Sequence, residues 1–275
     1  MKTGEALRLT DGDGKLADAV IINDHKKKTE VLIKDFSIVP QPSPRNVIAI
    51  SLLKNNTRLE WFLEKAAELG ISKIVPLLCS RTEKQHFRYD RMKSILVSAM
   101  LQSQQPWLTE LSEPINFKEF IAKETSERDS TEKDAIEKEA IEKEATEKEA
   151  TEKDATEKEA TEKEAIQKKA TEKEVTEKQP SEKNTSEKIT SARKTAESVQ
   201  RFIAHCEDTR KEQLSSPKYQ NIKPKLVLIG PEGDFTPEEI KLATDNGYHP
   251  VELGKTRLRT ETAGVVAATI IQIIH

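Results

Sequence analysis

Two short stretches concentrate residue types able to bind and polarise a ligand: LIGPEGDF, Leu228 to Phe235, and LGKTRLRTETA, Leu253 to Ala263. In the first, an apolar run ends in two glycines around Pro231 and Glu232, and a helix signature follows at once. An ordinary strand-to-helix turn accounts for Thr236 as cap, Pro237 in the first turn and Glu239 closing a capping box. It does not account for Glu232, or for both Gly230 and Gly233. Glycines at a strand end let the main chain approach a bound molecule closely and take φ > 0, and Pro231 stiffens the loop between them. In the second stretch Gly254 again ends a strand, Arg257 and Arg259 flank Leu258, and Thr260-Glu261-Thr262 open an apolar helix. Two strand-end glycine loops with an arginine pair and carboxylates read as a binding site.

The elements that must carry these loops alternate. NVIAISLL reads as a strand, and NTRLEWFLEKAAELG as a helix capped by Asn56 or Thr57 and stopped by Gly70. KIVPLLC is a strand and YDRMKSILVSAMLQS an amphipathic helix. Further on, QRFIAHC and KLVLIG are strands, TPEEIKLATDNG a helix, HPVELG a strand and TAGVVAATIIQII a closing helix. Strands alternating with helices predict an α/β fold with a mostly parallel sheet and flanking helices. Such sheets bind ligands beyond the C-terminal ends of their strands, where both glycine loops fall. Ahead of this region, LRLTDGDGKLADAVIIN and TEVLIKDF alternate around Asp-Gly turns, the pattern of β-hairpins in a small barrel. PQPSPR, Pro40 to Arg45, reads as a linker.

From Thr131 to Thr195 a five-residue unit, TEKEA, repeats with drift at both ends. Five residues advance a helix by roughly 500°, so successive alanines spiral around it and form no apolar stripe. Glu139 with Lys143 and Glu144 with Lys148 nevertheless stand four apart in the favourable order, each pair adding about 0.2–0.5 kcal/mol to a helix. The expectation is a partly helical, solvated spacer that frays after Gln179-Pro180, an expanded repeat tolerated in a surface loop.

The chain is 34% charged and only 4% aromatic, but the excess charge sits in the repeat, leaving an ordinary globular composition elsewhere. With a net charge of −3 there is no global basic field to advertise nucleic acid, so any such contact depends on a local patch. The two cysteines, Cys79 and Cys206, form no CxxC pair, which suggests neither a disulfide framework nor a metal site and fits a reducing cytosol. The opening residues MKTGEALRLTDGDG carry no apolar core of signal-peptide length, and GVVAATIIQII is about half the roughly 20 residues of a membrane span. A soluble, cytoplasmic protein with no membrane contact is expected. No histidine lies in the glycine loops; His205 reads as a satisfied structural residue, and His25, His86, His249 and His275 as surface or terminal ones.

LIGPEGDF followed by LGKTRLRTETA resembles the RsmE-type enzymes of the knotted SPOUT methyltransferases. RLEWFLEKAAELGISKIVPLLCSR, with the family's pattern from Lys65 to Arg81, and SAMLQS, Ser98 to Ser103, extend the likeness. The resemblance implies a trefoil-knot domain over 45–275, interrupted by the repeat insertion at 123–195. A PUA-like RNA-binding barrel over 1–40 would precede it, truncated because the sequence starts part-way into the family's barrel. The activity implied is S-adenosylmethionine-dependent methylation of N3 of a uridine in 16S ribosomal RNA, carried out by a homodimer on the small ribosomal subunit. Transferred residue by residue, the cofactor pocket would comprise Leu228, Ile229, Gly230, Glu232, Gly233, Leu253, Gly254, Leu258, Arg259, Glu261, Thr262 and Ala263. Arg259, Arg81 and Glu261 would be the catalytic residues, an arginine stabilising negative charge that develops on the uracil. Arg257 and Gln102 would contact RNA. Two departures stand out: the family's Gln-x-Gly-Arg reads Gln102-Ser103-Gln104-Gln105, and its Gly-Pro-Arg reads Gly254-Lys255-Thr256-Arg257. The competing reading is a degenerate paralogue that binds RNA or cofactor without turnover; the intact Glu232, Arg259 and Glu261 weigh against it.

Overall fold

The structure is a computed structural model that describes residues 2–83, 86–130, 133, 199–221 and 223–273. Met1–Thr125 and Glu197–His275 form one compact unit, and Ser126–Ala196 a second, whose described residues, 126–130 and 133, are helical. The rest of the repeat, expected to be a partly helical spacer, lies outside the described residues.

The first unit holds two sheets among its described residues. Strands β1 (Ala6–Thr10), β2 (Lys15–Asn23) and β3 (Glu30–Ile38) make an antiparallel meander, as the Asp-Gly turns predict. Its β1–β2 turn is paired to the rest of the unit: Gly14 N donates to Pro106 O (3.0 Å) and Leu108 N to Gly12 O (2.8 Å).

The larger sheet is built from β4 (Val47–Ser51), β5 (Lys73–Leu78), β6 (Glu110–Leu111), β7 (Ile115–Asn116), β8 (Gln200–Ala204), β9 (Glu212–Gln213), β10 (Lys225–Ile229) and β11 (His249–Glu252). Its order is β6-β5-β4-β10-β8-β11-β9, with β7 beside β5, and each pairing is parallel. The two-residue strands β6, β7 and β9 were not expected from the sequence, because two residues carry no readable period.

Helices cover both faces of this sheet. They are α1 (Asn56–Glu68), α2 (Tyr89–Gln102), the helical residues 117–125 (α3), α4 (Pro237–Asp245) and α5 (Thr260–Ile273). Strand alternation assigns the faces: Ile48, Ile50, Val227 and Ile229 pack with Phe62, Leu96, Ala267 and Ile271 from α1, α2 and α5. Ala49, Leu226 and Leu228 point the other way, onto Phe117, Phe235 and Ile240. Sheets buried on both faces read as continuous apolar runs, as KLVLI does. Gly264 allows α5 to lie close to α1: a Cβ there would stand 2.6 Å from the Phe62 ring. The cap of α1 falls one residue earlier than expected, at Asn55, whose side chain accepts from Thr57 N. Gly70 ends the run as expected, in the left-handed region at φ +81°. No helix of the described residues is long and apolar enough to cross a membrane.

Candidate active site

Because the strands run parallel, their C-terminal ends share one edge, and there the β10–α4 loop meets the first turn of α5. Between them lies a cavity of about 290 Å³ lined by Ala204, Cys206, Ile229, Gly230, Pro231, Glu232, Asp234, Arg257, Leu258, Arg259, Thr260 and Ala263. Strand β8 sits between β10 and β11, which brings Ala204 and Cys206 into the wall. Local sequence gives no hint of that, since strand order is a long-range property.

The β10–α4 loop is held from several sides. Asp234 adopts φ +65°, and its carboxylate accepts from Cys206 N (2.7 Å) and Phe235 N (2.9 Å). Thr236 and Glu239 form the expected capping box. The buried Glu239 carboxylate also accepts from Ser80 N (2.8 Å) and Ser80 Oγ (3.0 Å), tying α4 to the loop after β5. From that same loop, Arg81 Nη1 donates to Gly233 O (2.8 Å) and Phe235 O (3.2 Å). The two glycines do not serve positive φ, contrary to expectation; Asp234 takes that conformation. Gly230 is needed for close approach instead, since a Cβ there would stand 3.0 Å from the Phe235 ring and 3.2 Å from its nitrogen.

Of the residues expected around a cofactor, Ile229, Gly230, Glu232, Leu258, Arg259 and Ala263 line the cavity, as does Arg257, expected to contact RNA. The others lie outside that lining for identifiable reasons. Leu228 faces the opposite side of the sheet, because neighbouring strand residues alternate. Gly233 packs under the Arg81 side chain, 3.3 Å from its Cδ to a Gly233 Cβ position. Leu253 packs on the core of the α1–α5 face, Gly254 is exposed, and Thr262 lies half-buried in the first turn of α5. Gln102 lines a separate groove with Glu64, Lys65 and Arg91 on α1 and α2.

Glu261 is nearly buried and pairs with Arg58 Nε at 3.6 Å, and Arg58 Nη1 also reaches Glu232 Oε1 at 3.3 Å. Arg58 was missed by sequence reasoning although it opens the RLEW stretch; nothing local to it points across the fold. Arg257 and Arg259 are exposed and, among the described residues, have no side-chain hydrogen bond or ion pair. His205 differs from expectation. It is buried at the end of β8, yet both ring nitrogens lack a hydrogen-bond partner among the described residues. Burial, with the Lys211 charge adding to it, holds its pKa below the ordinary imidazole value.

A parallel α/β sheet with a cavity at its strand ends, walled by a glycine turn and the start of a helix, has the arrangement in which open α/β sheets bind ligands. The chain belongs to the RNA methyltransferase domain family, whose profile matches residues 41–161 and 145–272. Among curated proteins it is 22% identical over 270 residues to the ribosomal RNA small subunit methyltransferase E of Synechocystis sp., a match covering 97% of this chain and 65% of that protein. The chain thus spans less than two thirds of that relative's length. Among solved structures, a probable rRNA-methyltransferase from Porphyromonas gingivalis superposes with a TM-score of 0.67 at 26% identity, covering 100% of this chain and 86% of that one. A ribosomal RNA small subunit methyltransferase E from Neisseria gonorrhoeae, bound to S-adenosyl methionine, gives 0.65 at 22%, over 99% and 84%. The fold is the α/β SPOUT fold that the family resemblance implied.

Proposed function

We propose that the chain is an S-adenosylmethionine-dependent methyltransferase acting on N3 of a uridine in 16S ribosomal RNA. The observation that carries this reading is the cavity where the GPEGD loop meets α5, with Arg257 and Arg259 unpaired at its edge. The names of the Synechocystis and Neisseria gonorrhoeae relatives, and the ligand of the latter, support the substrate and the cofactor.

The lining suits S-adenosylmethionine. Ala204, Ile229, Leu258 and Ala263 would offer apolar contact to the cofactor, and Glu232 and Asp234 would give the pocket carboxylates suited to a cationic ligand. When bound, the cofactor supplies an already electrophilic methyl group, so the protein's task is chiefly orientation. Uridine N3 must lose a proton, and the negative charge that develops on the base calls for a positioned donor. Arg259 is free to act as that donor, and Arg257 to hold a phosphate. Arg81 has its Nη1 committed to two loop carbonyls, and Glu261 is paired with Arg58; in this reading both shape the site.

The working unit is a homodimer in the cytoplasm. In support, Trp61 on α1 and Ile273 on α5 are exposed (44% and 68%), and α5 keeps Val265, Val266 and Ile270 only half-buried. The meander belongs to the RNA-contacting module over 1–40, and 45–275, with its insertion at 123–195, to the methyltransferase domain. The test is incubation of purified protein with S-adenosylmethionine and small ribosomal subunits lacking the modification, followed by nucleoside mass spectrometry. 3-Methyluridine is expected with the wild type, and is expected to form about 10²-fold more slowly with Arg259→Ala. Methylation of another base or atom would overturn the substrate assignment.

A further inference from the structure

Arg58 stands in the first turn of α1, a turn with no acidic residue. The positive end of the helix macrodipole makes that an unfavourable place for a cation. Its partners explain the placement. Nη1 reaches Glu232 on the β10–α4 loop (3.3 Å) and Nε reaches Glu261 in the first turn of α5 (3.6 Å). Those two elements form opposite walls of the cavity. Among the described residues no hydrogen bond joins loop 230–236 directly to residues 253–263, so Arg58 provides the polar bridge. Glu261 depends on it further: its side chain is only 8% exposed, and Oε2 has no hydrogen-bond partner among the described residues.

We infer that Arg58 is a positioning residue for the cofactor cavity: its forked guanidinium sets the separation of the two walls by holding Glu232 to the start of α5. The inference deepens the methyltransferase reading and rests on it for the identity of the ligand. A lysine ammonium is a point donor on a flexible stem and cannot reproduce a two-carboxylate bridge of fixed geometry. Because the Arg58 and Glu232 side chains are 38% and 35% exposed, the bridge is open to salt screening.

The test is calorimetric titration of the full chain with S-adenosylmethionine, for wild type, Arg58→Gln, Arg58→Lys, Glu232→Gln and the double variant Arg58→Gln/Glu232→Gln. Arg58→Gln is expected to weaken binding by about tenfold, with Arg58→Lys restoring only a minor part of it. The double variant should bind no more weakly than Glu232→Gln alone, because Arg58 acts through Glu232. Wild-type affinity should also fall with salt more steeply than that of Arg58→Gln. Unchanged affinity in Arg58→Gln, or the same loss repeated in the Glu232→Gln background, would overturn the inference. If Arg58→Gln fails to fold with Glu261 left unpaired, the cycle is run with Glu261→Gln in every member. A readout independent of the cofactor is amide hydrogen exchange at Asp234 and Ala263 in ligand-free protein, expected to quicken in Arg58→Gln. Quickened exchange in a protein that does not bind S-adenosylmethionine upholds the bridge and overturns the cofactor reading; unchanged exchange overturns the bridge.

Discussion

The two loops that wall the cavity are built in opposite ways. The β10–α4 loop and the start of α4 are fastened from two other places: Cys206 N donates to Asp234, and the loop after β5 brings Arg81 onto two carbonyls and Ser80 onto Glu239. The β11–α5 loop leaves Gly254, Lys255, Thr256, Arg257 and Arg259 exposed, with its arginines unpaired among the described residues. One wall is preorganised, so a ligand that meets it loses little to ordering. The other keeps its charges free for a partner that brings negative charge. On the proposed function, one wall would hold a small molecule and the other grip a large anionic one, so each should answer to different substitutions.

Glu239→Ala attacks the fastened wall most directly. It strands the amides of Ser80 and Thr236 and should cost about 3 kcal/mol in denaturant unfolding. A loss below about 1 kcal/mol would mean that this wall is not held as described. Arg259→Ala probes the free wall, and the opposite signature is expected. Methyl transfer should fall by about 10²-fold, the size of one lost charge-stabilising donor, while stability stays within about 0.5 kcal/mol of wild type. Matching losses of activity and stability would erase the distinction between the walls. Gly230→Ala returns to the fastened wall by steric means alone, because Gly230 needs no positive φ. Forcing a methyl against Phe235 should cost about 1–3 kcal/mol, read from the urea midpoint.

The smallest effect concerns His205, beside the strand end that Asp234 fastens. Its pKa is lowered in the folded protein by burial and then by Lys211, so folding favours the neutral ring. That contribution is fully present above the unfolded value of about 6.5 and is lost as pH falls below it toward the folded value. Stability should therefore decline on mild acidification, and His205→Gln should flatten that decline. An identical pH profile in the variant would show that burial does not hold the ring neutral.

What the sequence made legible follows range. The capping box at Thr236 and Glu239 is written in residues three apart, and the α/β alternation in runs long enough to carry a period. Glycine positions pointed to the loops around the strand-end cavity, but part of the reasoning fails: positive φ belongs to Asp234, and Gly230 serves close packing against Phe235. Leu228 and Ile229 looked equivalent as neighbours in one apolar run, yet alternation sends them to opposite faces. Arg58 and Glu232 lie 174 residues apart, and only the folded chain joins them. Cys206 enters the wall for the same reason, through a strand order that no local pattern encodes.

The most direct test of the account is titration of the full chain with S-adenosylmethionine, beside Leu258→Trp, which fills the cavity from the wall that carries the unpaired arginines. The account expects micromolar binding of one molecule per wild-type chain, and loss of that binding in Leu258→Trp with the melting temperature little changed. A folded wild-type protein that gives no binding heat, or a Leu258→Trp variant that binds as wild type does, would contradict it.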